Sequence, residues 1–332
     1  MSNKTRYFVL VAGAILVVGL GTGLVASYIG LPVSVFSTAA GPDELQYVPA
    51  DAAVVAYANV RDVMNSEFRQ RFRQMEPQSA ERHEFEVQTG INIEQDIESV
   101  VAAMMPGGTD STAHPEQSAL VLARGRFQAN RLEALAVEHD AVVSEYQGKR
   151  IITPKEGVTS AKMALGFIDA DLVAFGSEST VRRAIDAGRE NRNVVSNNEM
   201  MRLVAELGNS NIWAVGRFDA LTKEAKLPAE IQSQIPTISW FSAAGHINGG
   251  VTGVLKAEAK DDEAAQNLRD VVRGFLALAK LQASTKPGLQ QMVDSLQLSG
   301  EGKTVALAFS VPSEMLDVIE AVTKMHKNPP EK

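Results

Sequence analysis

No charged residue occurs between Tyr7 and Pro42, and the core of that run, Phe8 to Leu31, reads FVLVAGAILVVGLGTGLVASYIGL. A bilayer core of about 30 Å takes roughly 20 apolar residues in a helix, so this run is long enough to span one. Its glycines and threonine weaken a helix in water but are tolerated in a membrane. The reading is a transmembrane anchor at residues 7–31 held in the lipid bilayer, preceded by a cytoplasmic tail at 1–6. Lys4 and Arg6 precede the span, whereas the far side carries Asp43 and Glu44 and no basic residue before Arg61. Positive flanks stay inside, so the expected topology is single-pass in a bacterial inner membrane, with the N-terminus in and the bulk of the chain outside.

Ser37-Thr38-Ala39-Ala40 has the small residues of a signal-peptide cleavage site. The apolar run nevertheless exceeds the roughly 7–15 residues of a typical signal-peptide core, which favours an uncleaved anchor. Gly19, Gly23 and Ser27 follow one another at four-residue spacing. Small residues so placed let two membrane helices approach closely, so the anchor admits self-association as a homo-oligomer.

The first 42 residues hold two basic residues and no acid, so the remainder carries 30 basic and 40 acidic residues, a net charge of −10. That balance disfavours nucleic acid, whose binding rests on basic contacts to phosphate. The chain has no cysteine. A lipid-modified cysteine anchor, disulfide staples and thiol catalysis are thereby excluded. Arg69, Arg71 and Arg73 alternate with Glu67, Glu76 and Glu81, which reads as a solvated helix face.

Beyond a Pro-, Ser-, Ala- and Gly-rich linker at 32–46, the pattern is of strands and hairpins followed by helices. Ala52 to Ala58 reads as a buried strand, and Val60, Met64, Phe68, Phe72 and Met75 follow helical spacing after it. Ala119 to Phe127 and Asn211 to Phe218 repeat this strand-to-helix unit, and both end in Gly-Arg-Phe, with Asn59-Val60-Arg61 in the comparable place. An internal repeat is one reading of that recurrence. Val142–Tyr146, Lys149–Thr153, Met163–Ile168 and Leu172–Gly176 read as short strands, and Ser177 as the cap of a helix from Glu178 to Ala187. Asn248-Gly249-Gly250 marks a hairpin between Phe241–Ile247 and Val251–Ala259. A long helix then starts at Asp261-Asp262 with Leu268, Val271, Val272, Phe275 and Ala279 on one face. Strands at Leu296–Leu298 and Thr304–Phe309 and a last helix near Pro312, bearing Met315, Ile319 and Val322, complete the pattern.

The expected fold class is α+β: a transmembrane helix followed by two related halves, 47–190 and 191–325, each an antiparallel sheet with helices on one face. Residues 326–332 are expected to be a disordered tail. The opening YVPADAAVVAYANVRDVMNSEFRQRF at 47–72 and the stretch from Glu145 to Asp186 resemble uncharacterised bacterial membrane-anchored proteins with an extracytoplasmic domain of unknown function. The resemblance implies a soluble part outside the membrane and carries over no catalytic residue.

The chain offers little recognisable chemistry. His83, His114, His139, His246 and His326 form no HExxH pair, so no metal site is expected. No G-x-S-x-G elbow, Walker sequence or dinucleotide fingerprint occurs outside the apolar run, so neither catalytic residues nor a cofactor are expected. Asp169 and Asp171 read as turn acids. A non-enzymatic scaffold, adaptor or subunit of a membrane assembly is the leading reading, with protein partners. A lipid or small apolar ligand module is the second, with Met104, Met105, Met163, Met200, Met201 and Met292 as an adaptable lining. The third is an envelope hydrolase, for which Arg126, Arg217, Asp140 and Asp219 are the polar residues to inspect.

Overall fold

The computed structural model describes residues 41–75, 80–106, 118–155, 163–220, 238–283, 290 and 293–312. The anchor with Gly19, Gly23 and Ser27, the last helix and the tail lie outside the described residues. Among those described, no helix is long and apolar enough to cross a membrane.

Twelve strands form one antiparallel sheet, β1 (Val54–Ala58), β2 (Ile97–Met104), β3 (Ala119–Gly125), β4 (Ala141–Tyr146), β5 (Lys149–Pro154), β6 (Met163–Phe167), β7 (Leu172–Ser177), β8 (Ile212–Arg217), β9 (Ile238–Ile247), β10 (Gly250–Ala259), β11 (Gln297–Ser299) and β12 (Thr304–Pro312). Their order across the sheet is 11-12-10-9-8-1-2-3-7-6-5-4. Strand β1 sits between the halves: Tyr57 faces Val101 of β2 on one side and Trp213 of β8 on the other. The expected pair of sheets is thus one continuous sheet. The segment after residue 190 is part of the same core, since Val194 N–H donates to the Val48 carbonyl and its side chain is buried.

Helices cover both faces, which corrects the expectation of one. In a strand successive side chains point to opposite faces, so a strand buried on both sides must be apolar throughout. Strand β1 (VVAYA) meets that condition. On one face Val55, Leu122 and Ala174 pack under α6 (Glu178–Glu190) and α7 (Asn198–Ala205). On the other Val100, Val121 and Val173 pack with Val60 of α1 (Val60–Asn65) and Leu132 of α5 (Ala129–Glu138). The remaining helices before α5 are α2 (Glu67–Met75), α3 (Ala80–Thr89) and the one-turn α4 (Ile93–Asp96).

The helix expected from Val60 to Met75 is broken at Ser66. Its hydroxyl donates to the Val63 carbonyl and accepts from Arg69 N–H, ending α1 and capping α2 in one residue. The cap at Ser177 is present, its Oγ accepting from Thr180 N–H at 3.2 Å. Gln147 and Gly148, both at positive φ, form the two-residue turn between β4 and β5. Strand β2 was not anticipated. It completes the centre of the sheet.

Helix α8 (Asp262–Ala283) rests on β10, β11 and β12 through Ala265 and Leu268. Its apolar residues do not share one face: Val271 and Phe275 stand 39% and 68% exposed. Gly274 lies inside this helix with open space where a Cβ would be. Glycine costs about 1 kcal/mol against alanine in a helix interior, so Gly274→Ala should raise stability by about that much. A thermal melt of the full chain in detergent checks it; a lowered melting point would contradict the placement.

Candidate functional site

The strands β2 and β3 set Ser99 directly opposite Arg124. Above them the turn Asp43–Tyr47 lowers Glu44 onto the sheet. Glu44 Oε1 accepts from Ser99 Oγ and from Arg124 Nε, each at 2.7 Å, and Arg124 Nη1 donates to Asp171 Oδ2 at 2.6 Å. Glu44 is 3% and Ser99 7% exposed. A carboxylate taken out of water at this depth needs a paired cation and hydrogen bonds, and both are supplied. Glu44 and Leu45, inside the expected linker, already belong to the buried body.

Two tyrosines border the cluster. Tyr57 stacks on Trp213 with ring centroids 5.5 Å apart, and Tyr47 lies where a Cβ on Gly188 of α6 would stand, 2.4 Å away. Burial, then the Glu44 and Asp62 charges, pushes the Tyr57 hydroxyl above its ordinary value; burial and Asp169 do the same for Tyr47. Arg124 is likewise raised: burial lowers it, and the hydrogen bonds to Glu44 and Asp171 outweigh that. A raised tyrosine pKa means that the folded state keeps its proton after the unfolded chain loses it. The associated stability is whole below about pH 10 and is lost as pH rises through the folded values. An alkaline titration followed by phenolate absorbance should show late-titrating tyrosines. Tyr57→Phe should remove one of them and flatten the loss of stability above pH 10.

The cluster is an ion pair with a satisfied hydroxyl, not a nucleophile with a free base. Ser99 is buried beneath the 43–47 turn that carries Glu44, so a substrate would have to displace that turn to reach the pair.

The residues singled out from the sequence are not brought together. Arg126 pairs with Asp96 at 2.8 Å, and Arg217 pairs with Asp219 beside it at 2.9 Å. Asp140 is a left-handed turn residue at φ 63°. Asp171 joins Arg124, while Asp169 Oδ1 accepts from Ala170 N–H within the β6–β7 turn. Met105 and Met200 are buried on the Tyr57 face and Met163 packs on the opposite one, so these methionines line no common pocket. His83, His139 and His246 lie on three separate elements, α3, α5's end and β9; His114, His326 and Met292 fall outside the described residues. Among the described residues no group of three metal-ligating side chains exists. Arg69 is not on a solvated face: with Glu94 it forms a 2.8 Å pair, the side chains 12% and 16% exposed.

The recurring Gly-Arg-Phe has a structural role. Arg126 N–H donates to the Asp96 carbonyl ahead of β2, and Arg217 N–H donates to the Ala53 carbonyl ahead of β1, both at 2.8 Å. Asn59 N–H reaches the Asn211 carbonyl ahead of β8 in the same way at 2.7 Å. Each motif closes the end of an antiparallel ladder.

No curated protein matches this chain. Among solved structures, crystal form I of TP0453 aligns over 85% of this chain and 98% of its own, at 12% identity and a TM-score of 0.46. The model of one family, described as protein of unknown function (DUF3352), matches residues 10–249 and so begins inside the uncharged N-terminal run. That match covers well over half of the sequence, and the chain belongs to the DUF3352 family.

Proposed function

We propose that the protein is an extracytoplasmic scaffold or adaptor held at the cytoplasmic membrane by residues 7–31, acting through protein partners rather than by catalysis. The observation that carries this reading is the joint between the uncharged run and the body. Two and three residues past the end of that run, Glu44 and Leu45 are 3% and 1% exposed, and Glu44 is tied to Ser99 and Arg124 in the middle strands. A flexible tether would need no such joint. A body that presents a surface at a fixed height and tilt above a bilayer does.

The test is gentle detergent extraction of the full chain, followed by native sizing and mass spectrometry of whatever migrates with it. A discrete heteromeric complex that disperses when residues 1–42 are replaced by another anchor, or when the exterior part is removed, is the expected result. Migration without a protein partner would overturn the scaffold reading. Topology is read separately. The chain lacks cysteine, so Leu278→Cys should react with a membrane-impermeant maleimide on cells whose inner membrane is intact and whose outer layer is permeabilised. Labelling only after lysis would reverse the orientation.

A further inference from the structure

The sheet ends differently on its two sides. One edge is β11, three residues long, and so short a strand offers little backbone to a partner. The other is β4, six residues in unbroken antiparallel register with β5. Edge strands are commonly blunted by lysine, proline or a bulge, and β4 has none of these. Its Val142 and Val143, on opposite faces, are 49% and 36% exposed, and Val137 near the end of α5 is 59% exposed.

The register tells which backbone groups of β4 face outward. Gln147-Gly148 is a two-residue turn, so Tyr146 and Lys149 close the hairpin as a hydrogen-bonded pair. Alternation then gives the bonds to β5 to Tyr146, Ser144 and Val142, and turns the N–H and C=O groups of Glu145, Val143 and Ala141 to the outer side. Pro154, which has no N–H, stands opposite Ala141, where this alternation asks for no donor. Among the described residues no strand lies outside β4. Its outer side presents a row of peptide groups, with valine on both faces, to an added strand.

Charge selects the occupant. Glu138, Asp140 and Glu145 are exposed around this edge. The arginines nearby are engaged: Arg150 pairs with Glu133 and lies over the Phe167 ring, and Arg182 pairs with Glu178 and lies over the Tyr146 ring. Lys149 sits beside the turn, in register with Tyr146. A second copy fits poorly. Antiparallel self-pairing that uses all three outward residues turns about Val143 and sets Glu145 of each copy beside Asp140 and Ala141 of the other, like charge against like. We propose that β4 takes up an extended segment of a partner protein, added antiparallel as a further edge strand. That segment carries a β-branched residue opposite Val143 and a lysine or arginine opposite Glu145 and near Asp140. Main-chain bonds supply its affinity, and the alternate side chains and their charge supply selection. The inference names a class of partner for the scaffold reading and rests on it.

The chain has no cysteine, so even weak docking can be read by disulfide capture. In the full chain in detergent, Ser144→Cys stands where the Cα of an antiparallel neighbour would lie about 4.5 Å away, within disulfide reach. The probe is the capped peptide Lys-Cys-Val-Thr-Lys, which on antiparallel docking sets its valine opposite Val143 and its cysteine opposite residue 144. Its counterpart is Glu-Cys-Val-Thr-Glu. Under a competing thiol the lysine peptide should be captured about tenfold better. Adding Glu145→Lys, a change at an exposed side chain, should abolish that preference. Adding Val143→Pro deletes an outward N–H and no bond of the β4–β5 ladder, so it should abolish capture while leaving the unfolding midpoint near that of Ser144→Cys. Equal capture of the two peptides, or a preference that survives Glu145→Lys, would overturn the proposal. Covalent dimers of a single Val143→Cys variant, in place of peptide capture, would overturn it in favour of a second copy. A heteromeric complex on native sizing that persists through Val143→Pro, with no capture, sinks the edge and spares the scaffold reading; capture without any such complex does the reverse.

Discussion

Arg124→Ala is expected to destabilise the fold by about 3 kcal/mol, the lower end of what removing one partner of a buried ion pair costs. Arg124 keeps about a quarter of its side chain exposed whereas Glu44 keeps 4%. The loss therefore falls on Glu44, left as an uncompensated charge with the Ser99 hydroxyl still donating to it. Asp171, about half exposed, is hydrated and contributes little. The double replacement Glu44→Leu with Arg124→Met is expected to recover most of the loss, because an apolar pair of similar volume does not need the compensation. Denaturant unfolding of the full chain in detergent, read by fluorescence, reports on this region directly, since Trp213 is one of only two tryptophans and stacks on Tyr57. If the double variant falls as far as the single one, the residues matter for packing and not as a charge pair.

The same cluster shows what a single sequence leaves hidden. Asp171 and Ser177 were readable because turns and caps act within a few residues, and the hairpins at 147–148 and 248–250 were readable for the same reason. Glu44 and Arg124 lie 80 residues apart, and no local rule joins an acid in a proline-rich linker to an arginine near a strand end. Strand β2 was missed although Ser99-Val-Val-Ala-Ala carries the apolar run of a central strand. The polar pair Glu98 and Ser99 just inside its start obscures it, and the register shift beside them spoils the two-residue alternation. The apolar residues of α8 were read as one face. Only the sheet beneath shows that Leu268 and Val271 face different ways. That a single sheet runs through the whole described body depends on β1 pairing at once with β2 and β8, and strand pairing over such distances leaves no periodic trace.

Gly125→Ala is expected to cost at least as much as loss of the ion pair, about 3–5 kcal/mol, by a mechanism that the recurring Gly-Arg-Phe made visible before it could be explained. A Cβ on Gly125 would stand 2.2 Å from the Asp96 carbonyl oxygen, and one on Gly216 would stand 2.7 Å from the Ala53 oxygen. Those carbonyls accept the Arg126 and Arg217 N–H groups that close the ladders. The obstacle is backbone, not a flexible side-chain tip, so the strands must part or the closing hydrogen bond must break. Asp96 has little room to yield, because its side chain also accepts from Asn92 N–H and pairs with Arg126. Gly216→Ala should cost less, since the approach is half an ångström longer. Arg126→Ala keeps the backbone donor and loses only an exposed pairing, so it should change stability by less than about 1 kcal/mol. The expected order of unfolding midpoints is therefore native and Arg126→Ala highest, Gly216→Ala below them and Gly125→Ala lowest. If Arg126→Ala proved the most damaging, the motif would belong to its arginine side chain and to recognition. The order expected from close approach would instead make it a joint in the sheet, placing whatever this protein recognises elsewhere on its surface.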